Sequence, residues 1–444
     1  MTAINDYSVL ASIPADSEPC ENSMTYLRIL CLSLVLFLVS SNAFAEGFAM
    51  TEWSARGLSL GGGMVARADD ASAVAYNPAG ITQLPGVHLM AGVSLLTPYG
   101  QVETAGNTTN ARQLVWFPPH AYATWQLNDD WWLGFGVFSR FGLGNQYPSN
   151  WAGRYDIYNV GLQTLSANPV VAYKVNDWLS LALGAELMRL DIFMEKKVYL
   201  GKGLPGFPDD NDMHLQGESW GVGMNAAAHV RFNDQWSAGL TYRSQMTHNV
   251  RGRVKFKRQD NAWTVLPELR DSNATATVQL PDSVALAVMW KPLPELSFEV
   301  GGIWTRWSTY NELNVYPKRA PHAHSPKAFS DGWNFNASVE YKPLDWLALR
   351  LGYWHETPVV SKKYAEYMLP TYGRDCLTAG VGFTWDNWTL DLAYVHLWIH
   401  SLSYDRSAAR AAREADFPNE PGMFRGTSKN CHTDMVSISL GYKF

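Results

Sequence analysis

Along most of this chain apolar and polar residues alternate with period two, and the alternation restarts six times directly after a short polar turn. The turns are Asn128-Asp129-Asp130 before Trp131, Asn176-Asp177 before Trp178, Asn233-Asp234-Gln235 before Trp236, Pro292-Leu293-Pro294-Glu295 before Leu296, Pro343-Leu344-Asp345 before Trp346, and Asp386-Asn387 before Trp388. Turns of this composition reverse a chain tightly, and period-two alternation gives each strand one apolar and one polar face. After the third turn Trp236, Ala238, Leu240 and Tyr242 face one way and Ser237, Gly239, Thr241 and Arg243 the other. An indole is apolar on its face and polar at its N–H, which suits the edge of a bilayer, so the five tryptophans that open strands predict one rim of a membrane barrel.

The same alternation sets Leu179, Leu181, Leu183 and Leu187 against Ser180, Ala182, Gly184 and Glu186, and Leu390, Leu392 and Tyr394 against Thr389, Asp391 and Ala393. A cation at the lipid midplane costs about 2–4 kcal/mol, so Glu186, Arg243, Glu299, Arg350 and Asp391 are expected in the lumen, as mutual pairs or facing a solute. Six short turns separate seven hairpins, which predicts an all-β fold: a transmembrane antiparallel β-barrel of about 14 strands with both ends on the short-turn side. Longer loops close the hairpins on the other side, near 99–116, 139–163, 190–216, 246–280, 309–332, 357–375 and 401–432. The last strand, Val436 to Phe444, alternates and ends on an aromatic, which resembles the assembly signal of outer-membrane proteins.

Composition agrees with this frame. The chain of 444 residues is 47% hydrophobic yet only 17% charged, with 19 Trp, 21 Tyr and 35 Gly. Its mean hydropathy of -0.18, without a run of about 18 apolar residues in the mature part, argues against helical spans and for a barrel. Residues 1–45 read as a leader: Arg28, the apolar run from Ile29 to Val39 and Ala43-Phe44-Ala45 make an export signal headed by Met24 and cleaved after Ala45. Residues 1–23 are then an over-long start, a genuine extension being the alternative. Export exposes Cys376 and Cys431 to an oxidising compartment, so a disulfide between them and two free thiols are both open expectations.

Residues 46–85 lack barrel alternation and are rich in Gly and Ala, a composition that favours packing inside the lumen over a free tail. The run ADDASAVAYNPAG there resembles the N-terminal hatch of the FadL family of outer-membrane transporters for long-chain fatty acids, whose TodX-like branch takes aromatic hydrocarbons. WAGRY from Trp151, GESWGVGMN from Gly217, GLTYRS from Gly239 and LPDS from Leu280 extend the resemblance across the mature chain. It implies a hatch over 46–85 that plugs a 14-stranded barrel over 86–444. It also implies solute capture in an apolar groove among the outer loops, hatch movement and lateral release into the membrane. The resemblance marks Phe48 as the aromatic beside the deep pocket and Asn77, Pro78, Ala79 and Gly80 as a hatch hinge or latch; a simple anchor and a fixed turn are the alternatives.

An unusually apolar loop supplies groove candidates in Tyr199, Leu200, Leu204 and Phe207, beside Phe193, Met194 and Val198. Arg154 and Arg243 are the candidate partners of a ligand carboxylate. A His-Glu-x-x-His metal motif does not occur and the two mature cysteines are not spaced as a CxxC pair, so no enzyme, metal or cofactor is expected. The net charge of -6 gives no sign of a nucleic-acid partner. The reading is a monomeric outer-membrane protein that takes up a hydrophobic small molecule, a fatty acid first and a hydrocarbon second, with a general diffusion porin as the rival. Outer-membrane lipid and lipopolysaccharide are its expected surroundings, with Arg406, Arg410, Arg413 and Arg425 of the last loop able to meet phosphates.

Overall fold

The structure, a computed structural model, describes residues 47–104, 107–199, 210–257, 269–369, 372–405 and 425–444. The leader over 1–45 and the side chains of Leu200, Leu204, Phe207, Arg406, Arg410 and Arg413 lie outside them. The strands form a closed antiparallel barrel of 14. Its first strand, Val87–Thr104, pairs with its last, Arg425–Lys443, so the sheet has no free edge there. No described helix is long and apolar enough to cross a membrane.

The six short turns join paired strands as expected, at Gln126↔Trp132, Lys174↔Ser180, Arg231↔Ser237, Leu293↔Leu296, Leu344↔Leu347 and Trp385↔Trp388. Three are held by asparagine side chains. Asn128 Oδ1 accepts from the N–H groups of Asp130 and Trp131, Asn176 Oδ1 from Trp178 and Leu179, and Asn233 Oδ1 from Gln235 and Trp236. Asp386 adopts φ 48°, the left-handed conformation that a two-residue hairpin turn requires. Trp131, Trp178, Trp236, Trp346 and Trp388 are all exposed on the outside, and Trp236 stacks on Trp290 at 5.7 Å.

The directions of the side chains also follow the alternation. Leu183, Leu240, Leu349, Leu351 and Tyr394 are exposed, whereas Glu186, Arg243, Glu299, Arg350 and Asp391 are buried in the lumen.

The outer loops differ from expectation. Leu179–Tyr199 and Asp210–Arg231 stay paired up to Tyr199↔Asp210, and Met246–Phe256 pairs with Ser272–Leu280, so much of 190–216 and 246–280 is hairpin. Above the membrane the outward residues become polar (Arg189, Asp191, Glu218, Arg251, Arg253), while Leu190, Val250 and Val254 turn inward. The alternation is inverted there, and a reader looking for outward apolar residues sees a loop.

Cys376 and Cys431 are both free. Cys376 pairs with Leu397, and Ile399, two residues further along that strand, pairs with Cys431. Two strand spacings of about 4.8 Å separate their strands, beyond the reach of a disulfide.

One wall strand is broken. Trp131–Phe138 and Gly142–Gln146 both pair with Asn159–Lys174, but the register steps by one residue across Ser139-Arg140-Phe141. Trp131–Phe138 also pairs with Pro119–Gln126 on its other side. Beyond the break, the segment 111–118 reaches Gly142–Gln146 by a single backbone hydrogen bond among the described residues, from Arg112 N–H to the Gln146 carbonyl at 2.7 Å. Pro118 turns its backbone carbonyl to the first strand, and Pro119 has no N–H to offer on the other side, where the seam begins.

Candidate functional site

Residues 47–86 pack on the inward face of the wall. A short helix Ala55–Ser59, capped by Ser54, is followed by a second, Ala73–Tyr76, and a 3₁₀ helix Pro78–Gln83. Buried charge fixes this part. Arg56 donates to both oxygens of Glu340 at 3.0 Å and reaches Asp69 at 2.8 Å and Asp70 at 3.1 Å. Arg350 bridges Glu340 at 2.6 Å and Asp391 at 2.5 Å. Glu299 accepts three successive backbone N–H groups, from Val65 at 2.9 Å, Ala66 at 3.3 Å and Arg67 at 2.7 Å. One wall carboxylate thereby satisfies a whole turn of the segment, and charge-assisted bonds of this kind are the strong ones.

The Asn77-Pro78-Ala79-Gly80 motif lies against the wall as well. Asn77 Oδ1 accepts from Ala79 N–H at 3.1 Å and caps the 3₁₀ helix, while its Nδ2 donates to the carbonyls of Val65 at 2.7 Å and Ala228 at 3.1 Å. One side chain thus holds the turn, an earlier part of the segment and the barrel together. The approach depends on glycine: a Cβ at wall residue Gly239 would stand 1.9 Å from the Val65 carbonyl oxygen.

The first residues are held differently. Phe48 is buried in edge-to-face contacts with Trp307 at 4.7 Å, Tyr310 at 5.7 Å and Phe141 at 6.1 Å. Gly142 N–H donates to the Phe48 carbonyl at 3.0 Å and Met50 N–H to the Arg140 carbonyl at 2.8 Å. The segment therefore lends a short strand to the broken edge of the wall. Arg374, paired with Glu356 at 3.1 Å, donates to the Gly47 carbonyl.

A cavity of about 700 Å³ surrounds this strand, lined by Phe48, Met50, Trp116, Phe141, Leu143 and Leu162, with Glu52, Arg112 and Arg374 among its polar residues. Its lining also includes Phe117 and Leu165, which are exposed on the outside of the barrel, so the cavity passes through the seam. Its size falls within the roughly 300–1,000 Å³ of small-molecule sites.

The sequence pattern of the family described as outer membrane protein transport protein (OMPP1/FadL/TodX) matches residues 36–442. The chain belongs to this family. It is an outer-membrane transport protein and not an enzyme. The long-chain fatty acid transport protein of Escherichia coli O6:H1 is 23% identical over 90% of this chain and 97% of its own length. Outer membrane protein P1 of Haemophilus influenzae is 25% identical, over 93% and 98%. A Pseudomonas aeruginosa FadL homologue has the same fold, with a TM-score of 0.78 at 18% identity over 90% of this chain and all of that one. The Ralstonia pickettii toluene transporter TbuX superposes with a TM-score of 0.64 at 15% identity over 88% and 98%.

Within this FadL/TodX barrel the residues singled out from sequence fall in three places. Phe48 lines the cavity, and Asn77 to Gly80 lie deeper, on the wall. Arg243 is buried, pairs with Glu186 at 3.1 Å and donates to the Val74 and Ala75 carbonyls, so its charge serves the segment. Arg154 is paired with Asp210 at 3.0 Å, and Tyr199 packs edge-on against Tyr155 at 5.9 Å; neither is among the residues lining the cavity. Phe141, Trp116, Trp307 and Tyr310 escaped the sequence reading. The Trp116-Phe117-Pro118-Pro119 run was a usable signal, because consecutive prolines withhold the N–H groups that a strand paired on both edges requires.

Proposed function

We propose that this transporter takes up long-chain fatty acids, holding the chain in the cavity beside Phe48 and releasing it sideways through the seam at Ser139–Phe141. The cavity carries the reading: it is mostly apolar, continuous with the outside of the wall, and borders residues 47–50. An apolar tail recovers about 25 cal/mol for each Å² it buries there. Arg112, exposed and lining the same cavity, is placed to meet a carboxylate. Release follows when residues 47–50 leave the wall edge, and Trp116, over Gly144, then remains as the last side chain across the seam. Residues 46–85 act as the hatch, Asn77 as its latch, and residues 1–45 as the leader that exports a monomeric barrel.

The second reading, an aromatic or aliphatic hydrocarbon, is favoured by the cluster of aromatic rings formed by Phe48, Phe141, Trp307 and Tyr310, and toluene transporters share the fold. Growth separates the two. A strain lacking the gene, complemented with the wild type, should regain growth on oleate, and R112Q should lower oleate uptake several-fold. Growth regained only on toluene or an alkane would overturn the fatty-acid reading. A porin would conduct freely, so conductance in planar bilayers should be small and rise when 46–80 is removed.

A further inference from the structure

On the outer flank of the barrel the strand Met246–Phe256 turns Arg251, Arg253 and Lys255 outward, all exposed, while Val250, Val254 and Phe256 turn into the wall. Alternate residues on a strand stand about 6.8 Å apart, so the three cations form a column about 14 Å long. None of them has an acidic partner within ion-pair distance among the described residues. Their neighbours explain why. Across from Arg251 stands Glu218, which Arg189 already holds at 2.5 Å; across from Lys255 stands His214, bonded to Glu195 at 2.9 Å. Asp271 accepts the Phe256 N–H, and Asp212 is held by Lys197 at 2.8 Å. On the other side Thr275 and Asn273 stand opposite Arg251 and Arg253, with Tyr316 beyond Thr275, all exposed hydrogen-bonding groups.

The opposite flank shows the contrast. There Asp375 accepts from Tyr353, His355 and His400, and Asp434 accepts from Tyr394 and His396, so that face presents carboxylates already bonded to their neighbours where the first presents cations. Directly below the cationic column, on the strand Asp210–Arg231, lie Trp220, Val222 and Met224, exposed by 59%, 72% and 62%. A molecule with several negative charges at its head and acyl chains beneath matches both halves of this surface.

We propose that Arg251, Arg253 and Lys255 bind the phosphorylated headgroup of an outer-leaflet glycolipid of the lipid A type, whose acyl chains run down Trp220, Val222 and Met224. The charge-assisted bonds are those that Arg and Lys make to phosphate oxygens, and Thr275, Asn273 and Tyr316 supply neutral donors beside them. The site is a fixed docking surface on the membrane side of the wall, separate from the cavity at Phe48.

Binding of bisphosphorylated lipid A to the purified full-length protein in micelles tests this. Each cation near an anionic headgroup contributes a factor of about 5, so R251Q/R253Q/K255Q should weaken binding by about 100-fold. Lipid A stripped of phosphate should bind the wild type no better than it binds the triple variant, and raising salt should close the gap between the two proteins. The substituted side chains are exposed, so thermal unfolding should not change; should the triple variant fail to assemble, R253Q alone should still lose about 5-fold. K291Q/K443Q, on the short-turn side, removes cations elsewhere and should bind as the wild type does. Equal affinity of wild type and triple variant, equal binding of the dephosphorylated lipid, an equal loss in K291Q/K443Q, or displacement by millimolar inorganic phosphate would each overturn the proposal.

Discussion

The two halves of the N-terminal segment rest in the same lumen but are held by opposite means. Gly47–Trp53 is kept mainly by ring contacts of Phe48, by backbone bonds to residues 140–142 and by single bonds from the Arg374 and Tyr122 side chains to its carbonyls, most of them groups that an apolar ligand and water could replace. Ser54–Leu84 is kept by Arg56, Glu340, Arg350, Glu299 and Asn77, whose partners nothing apolar can replace. A buried charge left without its partner costs far more than an exchanged apolar contact. The difference teaches where motion is inexpensive: in the proposed cycle the first half exchanges its place with a solute while the second stays on the wall.

Removing the anchor should have the largest effect. E340A leaves Arg56 and Arg350 facing each other without their shared carboxylate, at a cost of about 3–5 kcal/mol. Thermal unfolding should shift down and bilayer conductance should rise; an unchanged conductance would break the contrast between the halves.

F48A should loosen the first half alone, by about 3 kcal/mol, as truncation of a packed aromatic does. Hydrogen exchange at Met50 and Gly142 should quicken while that at Val65, Ala66 and Arg67 stays slow, and oleate binding should weaken. Equal acceleration in both halves would mean that they move as one body.

G239A forces a methyl toward the Val65 carbonyl and should cost about 1–3 kcal/mol by overpacking. It tests whether the anchored half depends on close approach to the wall, and it should raise conductance less than E340A does.

The smallest effect is one of pH. Burial raises Glu52, in the first half and not in a wall strand, to about 7, with Glu356 and Arg374 as its charged neighbours. The packed state then holds a proton that a released, solvated carboxyl gives up near 4.5, so packing of the first half weakens as pH rises from about 4.5 to about 7 and stays level above. Uptake by the wild type should increase over that window, and E52Q should flatten the profile.

Much of the wall was legible because it is written locally. Each Asn-Asp turn closes on its own residues, and each lipid-facing leucine declares its face by its two neighbours. Where outward residues ceased to be apolar, as at Arg189 and Glu218, the same rule failed and hairpins looked like loops. The site was legible only in part. Phe48 and Asn77 stood out through the family resemblance, the groove residues Leu200, Leu204 and Phe207 lie outside the described residues, and inward residues such as Phe141 and Trp307 emerged only from the structure. Arg154 and Arg243, offered to a ligand, were engaged by Asp210 and Glu186. A carboxylate 284 residues away, Glu340, holds Arg56, and no local pattern announces such a pair.

By itself the sequence determined a membrane barrel of about 14 strands, its short-turn rim, the inward direction of its charges and a segment outside the alternation, because turn chemistry and period-two burial act between near neighbours. Only the tertiary structure decided which charges meet, that Cys376 and Cys431 stand two strands apart, that the wall opens beyond Ser139, and that Phe48 closes on that opening. Those outcomes depend on contacts between residues far apart in the chain, which become neighbours only when the sheet closes on itself.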